Sequence, residues 1–261
     1  YISMSGVLNL LGEADRKPAI PLNLIGDVAG AALQADIGIL PALIARGKTG
    51  RGQFIDISYT DGVISMLSFL FTPLRAQNSL VPKRGEHPFT GAYPYYNVYE
   101  TKDGKFISIG CLEPWLWENL CRAIGKEEFI PIHVEQDHYL HPPDDKKWEE
   151  ISSSLKQLFL TKTRDEWFDF LSQKDVCIGK VYSLDEVLAD PQVLHRQMVI
   201  EVEHPTEGKV RQVGIAIKLS DTPYKVMISR SIAFISFSEI LTGLGYNKQR
   251  VNELRQKGVI S

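Results

Sequence analysis

The stretch Asp27-Val28-Ala29-Gly30-Ala31-Ala32-Leu33-Gln34-Ala35-Asp36-Ile37-Gly38-Ile39-Leu40-Pro41-Ala42-Leu43-Ile44-Ala45-Arg46 carries almost no charge beyond Asp27, Asp36 and Arg46. It reads as a helix buried nearly all round, and Pro41 predicts a kink in it. Gly47-Lys48-Thr49-Gly50-Arg51-Gly52 then turns the chain into Gln53-Phe54-Ile55-Asp56-Ile57-Ser58-Tyr59, where apolar and polar residues alternate as in a half-buried strand. A helix from Asp61 to about Leu74 follows. Helix, glycine turn, strand and helix in that order predict an α/β layer with a mainly parallel sheet.

On the upstream side, Tyr1-Ile2-Ser3-Met4-Ser5-Gly6-Val7-Leu8 opens directly in apolar sequence without an initiating Met, which predicts that an upstream portion is missing. On the downstream side, Pro82 to Tyr96 is rich in Pro, Gly and Tyr and predicts a linker into a second domain. There, Tyr95–Glu100 and Phe106–Gly110 read as strands around a turn at Lys102-Asp103-Gly104-Lys105. Glu113-Pro114 starts a helix through Cys121, with Pro where its missing N–H costs nothing. Helices are predicted at Trp148–Phe159 and Thr163–Gln173, where Thr163 and Glu166 have capping-box spacing, and a short one at Asp185–Ala189. A hairpin is expected from Met198–His204 and Lys209–Ile217, and a helical hairpin from Ser238 to Ser261.

With 261 residues the chain is long enough for one large domain or two ordinary ones. A formal charge of -3 gives no bulk drive toward nucleic acid or anionic membrane. The three cysteines, Cys111, Cys121 and Cys177, fit neither a zinc ribbon nor a disulfide framework, so a reducing cytoplasm is expected. No run of eighteen apolar residues lacks a polar break and the start lacks a signal peptide, so a soluble protein is expected.

Asp27 stands between Gly26 and a nearly uncharged helix, at the positive end of the helix dipole. It reads either as an N-cap or as a carboxylate kept ionised in an apolar setting beside glycines that leave room for a ligand. Glu113, after a strand and at the start of a helix, is in isolation an ordinary first-turn glutamate. Trp115 and Trp117 cannot share one helical face; core packing is expected of either, with a cleft or domain contact as the alternative for one. His133, His138 and His141, with Glu135 and Asp137, match no compact ligand motif, so no metal site is expected. Gly47 to Gly52 lacks the Walker order and reads as a turn, and His195 and His204 read as surface residues.

Four blocks carry a resemblance: Tyr1 to Leu8, Pro21-Leu22-Asn23-Leu24-Ile25-Gly26-Asp27, Gly47-Lys48-Thr49-Gly50-Arg51-Gly52-Gln53, and Gly110-Cys111-Leu112-Glu113-Pro114. Together they resemble the family III CoA-transferases, the CaiB/BaiF group, over essentially the whole chain. The resemblance implies an α/β fold: a Rossmann-like large domain, present in part as residues 1–85 and 190–261, and a smaller α+β domain with its linkers at 86–189. It also implies an interlocked homodimer with the site between the large domain of one subunit and the small domain of the other.

On that resemblance Asp27 matches the catalytic aspartate. In the racemase branch it is one of two acid/base groups that move the proton α to an acyl-CoA thioester through an enolate. In the transferase branch it is a nucleophile forming a mixed anhydride and then an aspartyl-CoA thioester. Leu112-Glu113-Pro114 and Pro21-Leu22-Asn23-Leu24 favour the racemase branch, as does the lack of the formyl and oxalate transferases' glycine-rich loop between Arg84 and Tyr96. Glu113 matches a supporting glutamate acting across the dimer, and Tyr1 falls at the CoA/acyl pocket. The racemases' His-Asp pair and most CoA nucleotide contacts lie upstream of the Tyr matching Tyr1, so this chain alone is expected to bind CoA poorly and to be nearly inactive. A truncated paralogue without catalysis is the third reading. CoA enters as part of the substrate, with no other cofactor.

Overall fold

The computed structural model describes residues 1–71, 83–85, 88–132, 145–204, 207–224 and 237–260. The chain divides into two compact units, Tyr1–Val181 and Tyr182–Ser261.

The first unit opens with a short helix, α1 (Val7–Leu10). The long apolar stretch is one helix in two registers: a π-helical segment, Leu24–Ala32, runs directly into α2, Leu33–Thr49, which continues through Pro41. It is not buried all round. Gly30 and Ala31 are its only fully buried residues, while Ile37, Leu40 and Ile44 are 60%, 61% and 61% exposed. Uniform apolarity shows that a helix wants cover; it does not say which polypeptide supplies it, and the described residues cover only part of this one.

By length and composition Leu24–Thr49 could also cross a membrane. A core helix of a soluble protein passes the same test, and Asp27, Asp36 and Arg46 would be costly in hydrocarbon.

Residues 53–59 do not form the expected strand. The alternation holds, with Ile55 and Ile57 half-buried against Gly38 of α2 and Phe54 91% exposed. However, no backbone hydrogen bond joins 53–57 to another segment among the described residues. A ladder needs a neighbouring edge, and none lies beside this segment, so the parallel sheet is absent from the described residues. After this segment come α3 (Tyr59–Met66) and α4 (Ser68–Phe71), separated at Leu67. Thr72 to Leu74, the expected end of this helix, lie outside the described residues.

The sheet of this unit is antiparallel, in the order β1-β2-β3: Tyr96–Glu100, Phe106–Gly110 and Ile178–Lys180. The β1-β2 hairpin matches the sequence reading; β3 is not expected from sequence, because a three-residue strand has too little alternation to register. Gly104 at the hairpin tip has φ 70°, the left-handed backbone that glycine supplies cheaply. Asp103 accepts from the Thr101 hydroxyl at 2.6 Å and the Arg164 amide at 3.1 Å, tying the turn to the helix that Arg164 begins.

Against one face pack α5 (Pro114–Ala123), α6 (Asp145–Phe159) and α7 (Arg164–Leu171). The core between them is aromatic: Tyr93, Tyr95, Tyr99, Trp117, Trp148, Phe159 and Trp167 are all buried. Three of these rings place their polar atoms on backbone carbonyls. Tyr99 donates to the Pro94 carbonyl at 2.6 Å, Trp117 to Phe129 at 3.1 Å and Trp167 to Phe159 at 2.9 Å. Thr163 and Glu166 form the expected capping box.

The second unit begins with α8 (Leu184–Ala189) and α9 (Pro191–His195). A two-stranded hairpin follows, β4 (Val199–His204) with β5 (Gly208–Val213); the hairpin is the expected one, but its second strand ends at Val213 rather than Ile217. The terminal helical hairpin is α10 (Phe237–Gly243) and α11 (Lys248–Gln256), the latter capped by Asn247.

Candidate active site

Asp27 lies within the first turn of the π-helical segment rather than at its cap; Asn23 holds the cap position. The amides of Asp27 and Val28 both donate to the Asn23 carbonyl, at 3.1 and 3.3 Å. This shared acceptor marks the shift to the wider i→i+5 register, a distortion that recurs at functional positions. The segment therefore starts earlier than the position of Gly26 implied, because Leu24 and Ile25 are recruited into it.

Two glycines set the depth at which this segment packs. A Cβ on Gly30 would lie 2.6 Å from Val63 Cγ2, and a Cβ on Gly62 would collide with the Gly30 carbonyl. The backbones of the π segment and α3 are thus in direct contact. Ser58 caps α3, accepting from the Asp61 amide at 3.3 Å. At the other side, Gly26 meets Ile2, and the ring of Tyr1 stacks on Tyr59 with centroids 4.5 Å apart.

Within this frame the Asp27 side chain is exposed, and its carboxylate has no hydrogen bond or ion pair among the described residues. A carboxylate on the first turn of a helix, beside amides without intrahelical partners and free of any side-chain cation, is available to an incoming reactant. Tyr1 is 69% exposed, with one ring face stacked on Tyr59.

Glu113 is at the N-cap of α5, directly before Pro114, and its side chain makes no capping hydrogen bond. It is exposed and belongs to the sheet layer, whereas Asp27 belongs to the layer of the π segment and α3. No hydrogen bond, ion pair or ring contact joins Asp27, Glu113 and Tyr1 to one another within the described residues of one chain. Of the two tryptophans beside Glu113, Trp117 is core at 1% exposed and Trp115 is 58% exposed.

Sequence reasoning missed a cavity of about 750 Å³ on the sheet face opposite the aromatic core. Its lining includes Leu10, Phe89, Tyr96, Val98, Ser108 and Cys177. It depends on β3, which leaves no pattern in the sequence.

The histidines at 133, 138 and 141, with Glu135 and Asp137, lie outside the described residues. Among the described residues no group of three His, Cys, Asp or Glu side chains is placed to hold a metal. Gly47 to Gly52 is the exposed end of α2, turning at Gly50 with φ 71°. His195 is exposed, while His204 is half-buried and accepts from the Glu207 amide at 3.3 Å. Cys111 and Cys121 are buried and their thiols are pushed up to about 12, chiefly by desolvation; Cys177 is exposed.

The sequence model of the CoA-transferase family III matches residues 1–230. Human α-methylacyl-CoA racemase is 30% identical over 263 aligned residues, which cover 100% of this chain and 65% of that protein. The mouse racemase is 32% identical over the same shares. A formyl-CoA:oxalate CoA-transferase of Rhodopseudomonas palustris (strain HaA2) is 28% identical, covering 98% of this chain and 64% of the relative. The chain thus spans somewhat less than two thirds of the length of these relatives. Among solved structures, a CAIB/BAIF family protein from Brucella suis matches with a TM-score of 0.66 and 26% identity over 86% of this chain and 56% of that one.

Proposed function

The chain belongs to the CoA-transferase family III, and from that premise we propose that it serves a 2-methylacyl-CoA racemase or epimerase in which Asp27 is one of two acid/base groups. The observation that carries this reading is the exposed Asp27 carboxylate on the first turn of the π-helical segment, without a cation or hydrogen-bond donor to occupy it. Such a group can take the proton from the carbon α to a thioester carbonyl, leaving an enolate. A second group on the opposite face returns a proton and inverts the centre.

Glu113, uncommitted at the α5 N-cap, supports the site from a second copy of the chain in a homodimer. That arrangement accounts for two candidate residues in separate layers of one subunit. CoA enters as part of the substrate, and Tyr1 lies toward its acyl end.

A second reading is a CoA-transferase, favoured by the similarity to formyl-CoA:oxalate CoA-transferases. There the Asp27 carboxylate attacks the thioester carbonyl and expels CoA as the thiolate. The thiolate attacks the Asp27 carbonyl of the anhydride, releasing the first acid and leaving an aspartyl-CoA thioester.

One experiment separates the two. The protein expressed from its complete coding sequence is incubated with a single epimer of a 2-methylacyl-CoA in deuterium oxide. Deuterium at the α carbon with loss of stereochemical purity, abolished in Asp27→Ala, is the expected result. No uptake, with CoA appearing on an added free acid and an Asp27 adduct trapped by hydroxylamine, overturns it in favour of the transferase.

A further inference from the structure

We infer that the cavity on the outer face of the β1-β2-β3 sheet holds the hydrocarbon part of the acyl group, making the substrate class a medium-length or longer acyl chain rather than a small dicarboxylate. This inference rests on the acyl-CoA reading above and adds to it a place and a chemistry for the acyl end.

Among the described residues no Asp, Glu, Lys, Arg or His lines the cavity. Two polar side chains of its lining are already committed to the protein. Ser108 donates to the Gly179 carbonyl at 3.1 Å; Asn97 donates to Gly91 at 2.7 Å and accepts from the Val98 amide at 2.8 Å. A carboxylate such as oxalate would lose its hydration here and gain no cation, whereas a hydrocarbon gives up nothing.

Its walls are apolar and braced. Leu10 and Leu11 form one wall, and Arg84 holds that segment in place by donating to the Asn9 and Glu13 carbonyls, each at 3.1 Å. Phe89 and Tyr96 form another wall, edge to face with centroids 5.4 Å apart. A volume of about 750 Å³ falls within the range of small-molecule sites. The cavity also lies near the candidate site. Gly110 lines it and Glu113 follows three residues later on the same strand exit, so their Cα atoms lie within about 11 Å of each other. An acyl chain in the cavity therefore ends close to a residue already assigned to the site.

Cys177 supplies the test, being the exposed cysteine of the three and part of the lining. Its labelling by N-ethylmaleimide would be followed by peptide mass spectrometry in the protein expressed from its complete coding sequence. The two probes are S-octylpantetheine and S-methylpantetheine, uncharged molecules that differ only in hydrocarbon length. At saturation the octyl compound is expected to slow Cys177 labelling at least fivefold and the methyl compound to leave it unchanged. Val98→Asp, at a side chain 52% exposed and so tolerant of change, should abolish the protection while Cys177 stays reactive. Labelling unaffected by the octyl compound, equal protection by the methyl compound, or protection that survives Val98→Asp would each overturn the inference. Isotope exchange without protection removes the cavity and leaves the activity. Protection without exchange removes the racemase and leaves an acyl-binding cavity.

Discussion

Gly62 of α3 sits against Gly30 of the π-helical segment so closely that no side chain can stand between them, and this contact fixes the segment that carries Asp27. Gly62→Ala is expected to force the two backbones apart. The loss should be about 2–3 kcal/mol in urea unfolding, with isotope exchange falling more than stability alone explains. Gly30→Ala meets the side chain of Val63 rather than only backbone, and should cost less.

Asp27→Asn removes a charge that no neighbouring side chain uses. Unfolding free energy should stay within about 0.5 kcal/mol of the parent, while α-proton exchange falls by about 10²-fold or more. Equal activity in parent and variant would end the assignment of Asp27 as an acid/base group.

Trp115 and Trp117, two positions apart, should respond oppositely to truncation. Trp117 is buried and hydrogen-bonded to Phe129, so Trp117→Ala should cost about 3–5 kcal/mol. Trp115→Ala, at an exposed ring, should change stability by less than about 0.5 kcal/mol. Paired chemical denaturation curves check both.

Asp165 is held below its ordinary carboxylate value, first by the hydrogen bond from Lys180 at 3.0 Å and then by the charges of Lys180 and Arg164. A lowered folded value means stabilisation that is complete above the unfolded carboxylate pKa, about 3.9, and lost as pH falls through the folded one. The stability gap between the parent and Asp165→Asn should therefore be open at pH 7 and close progressively below about pH 4. A gap independent of pH would show that the ion pair contributes nothing.

Cys111 and Cys121 are buried with thiols pushed up to about 12, so neither should react with maleimide in the folded protein at pH 7.5. Their labelling in dilute urea should follow the unfolding curve, in contrast to the immediate reaction of Cys177. Rapid modification of Cys121 without denaturant would contradict the packing of α5.

Local chemistry made much of this fold legible. The Asp103-Gly104 turn, Pro114 at the first turn of α5 and the Thr163–Glu166 box are signals within a few residues, and each element they mark is present. What failed was inference from composition to environment. The apolar run after Asp27 gives the helix, but whether Ile37 or Leu40 is covered depends on other polypeptide. The alternation from Gln53 to Tyr59 gives the extended backbone and its inward face, while a ladder depends on a partner strand.

The same limit holds for the site. Asp27 and Glu113 are recoverable as carboxylates at helix starts, and the family blocks single them out. The π register around Asp27 is not recoverable, because no residue pattern over 24–32 distinguishes i→i+5 from i→i+4 bonding. The cavity is a product of tertiary structure, joining α1 and β3, each distant in sequence, to the segment from Phe89 through the β1-β2 hairpin.

In the extended segment 53–57 the inward side chains rest on α2 while the backbone amides have no acceptor among the described residues. In deuterium oxide those amides should exchange at nearly the rate of an open loop, while Ile107 and Ile109 in the middle strand of the sheet hold their protons. Any strand that comes to lie beside 53–57 would then be recorded as protection at alternate amides, so that exchange alone reads out the register of its pairing.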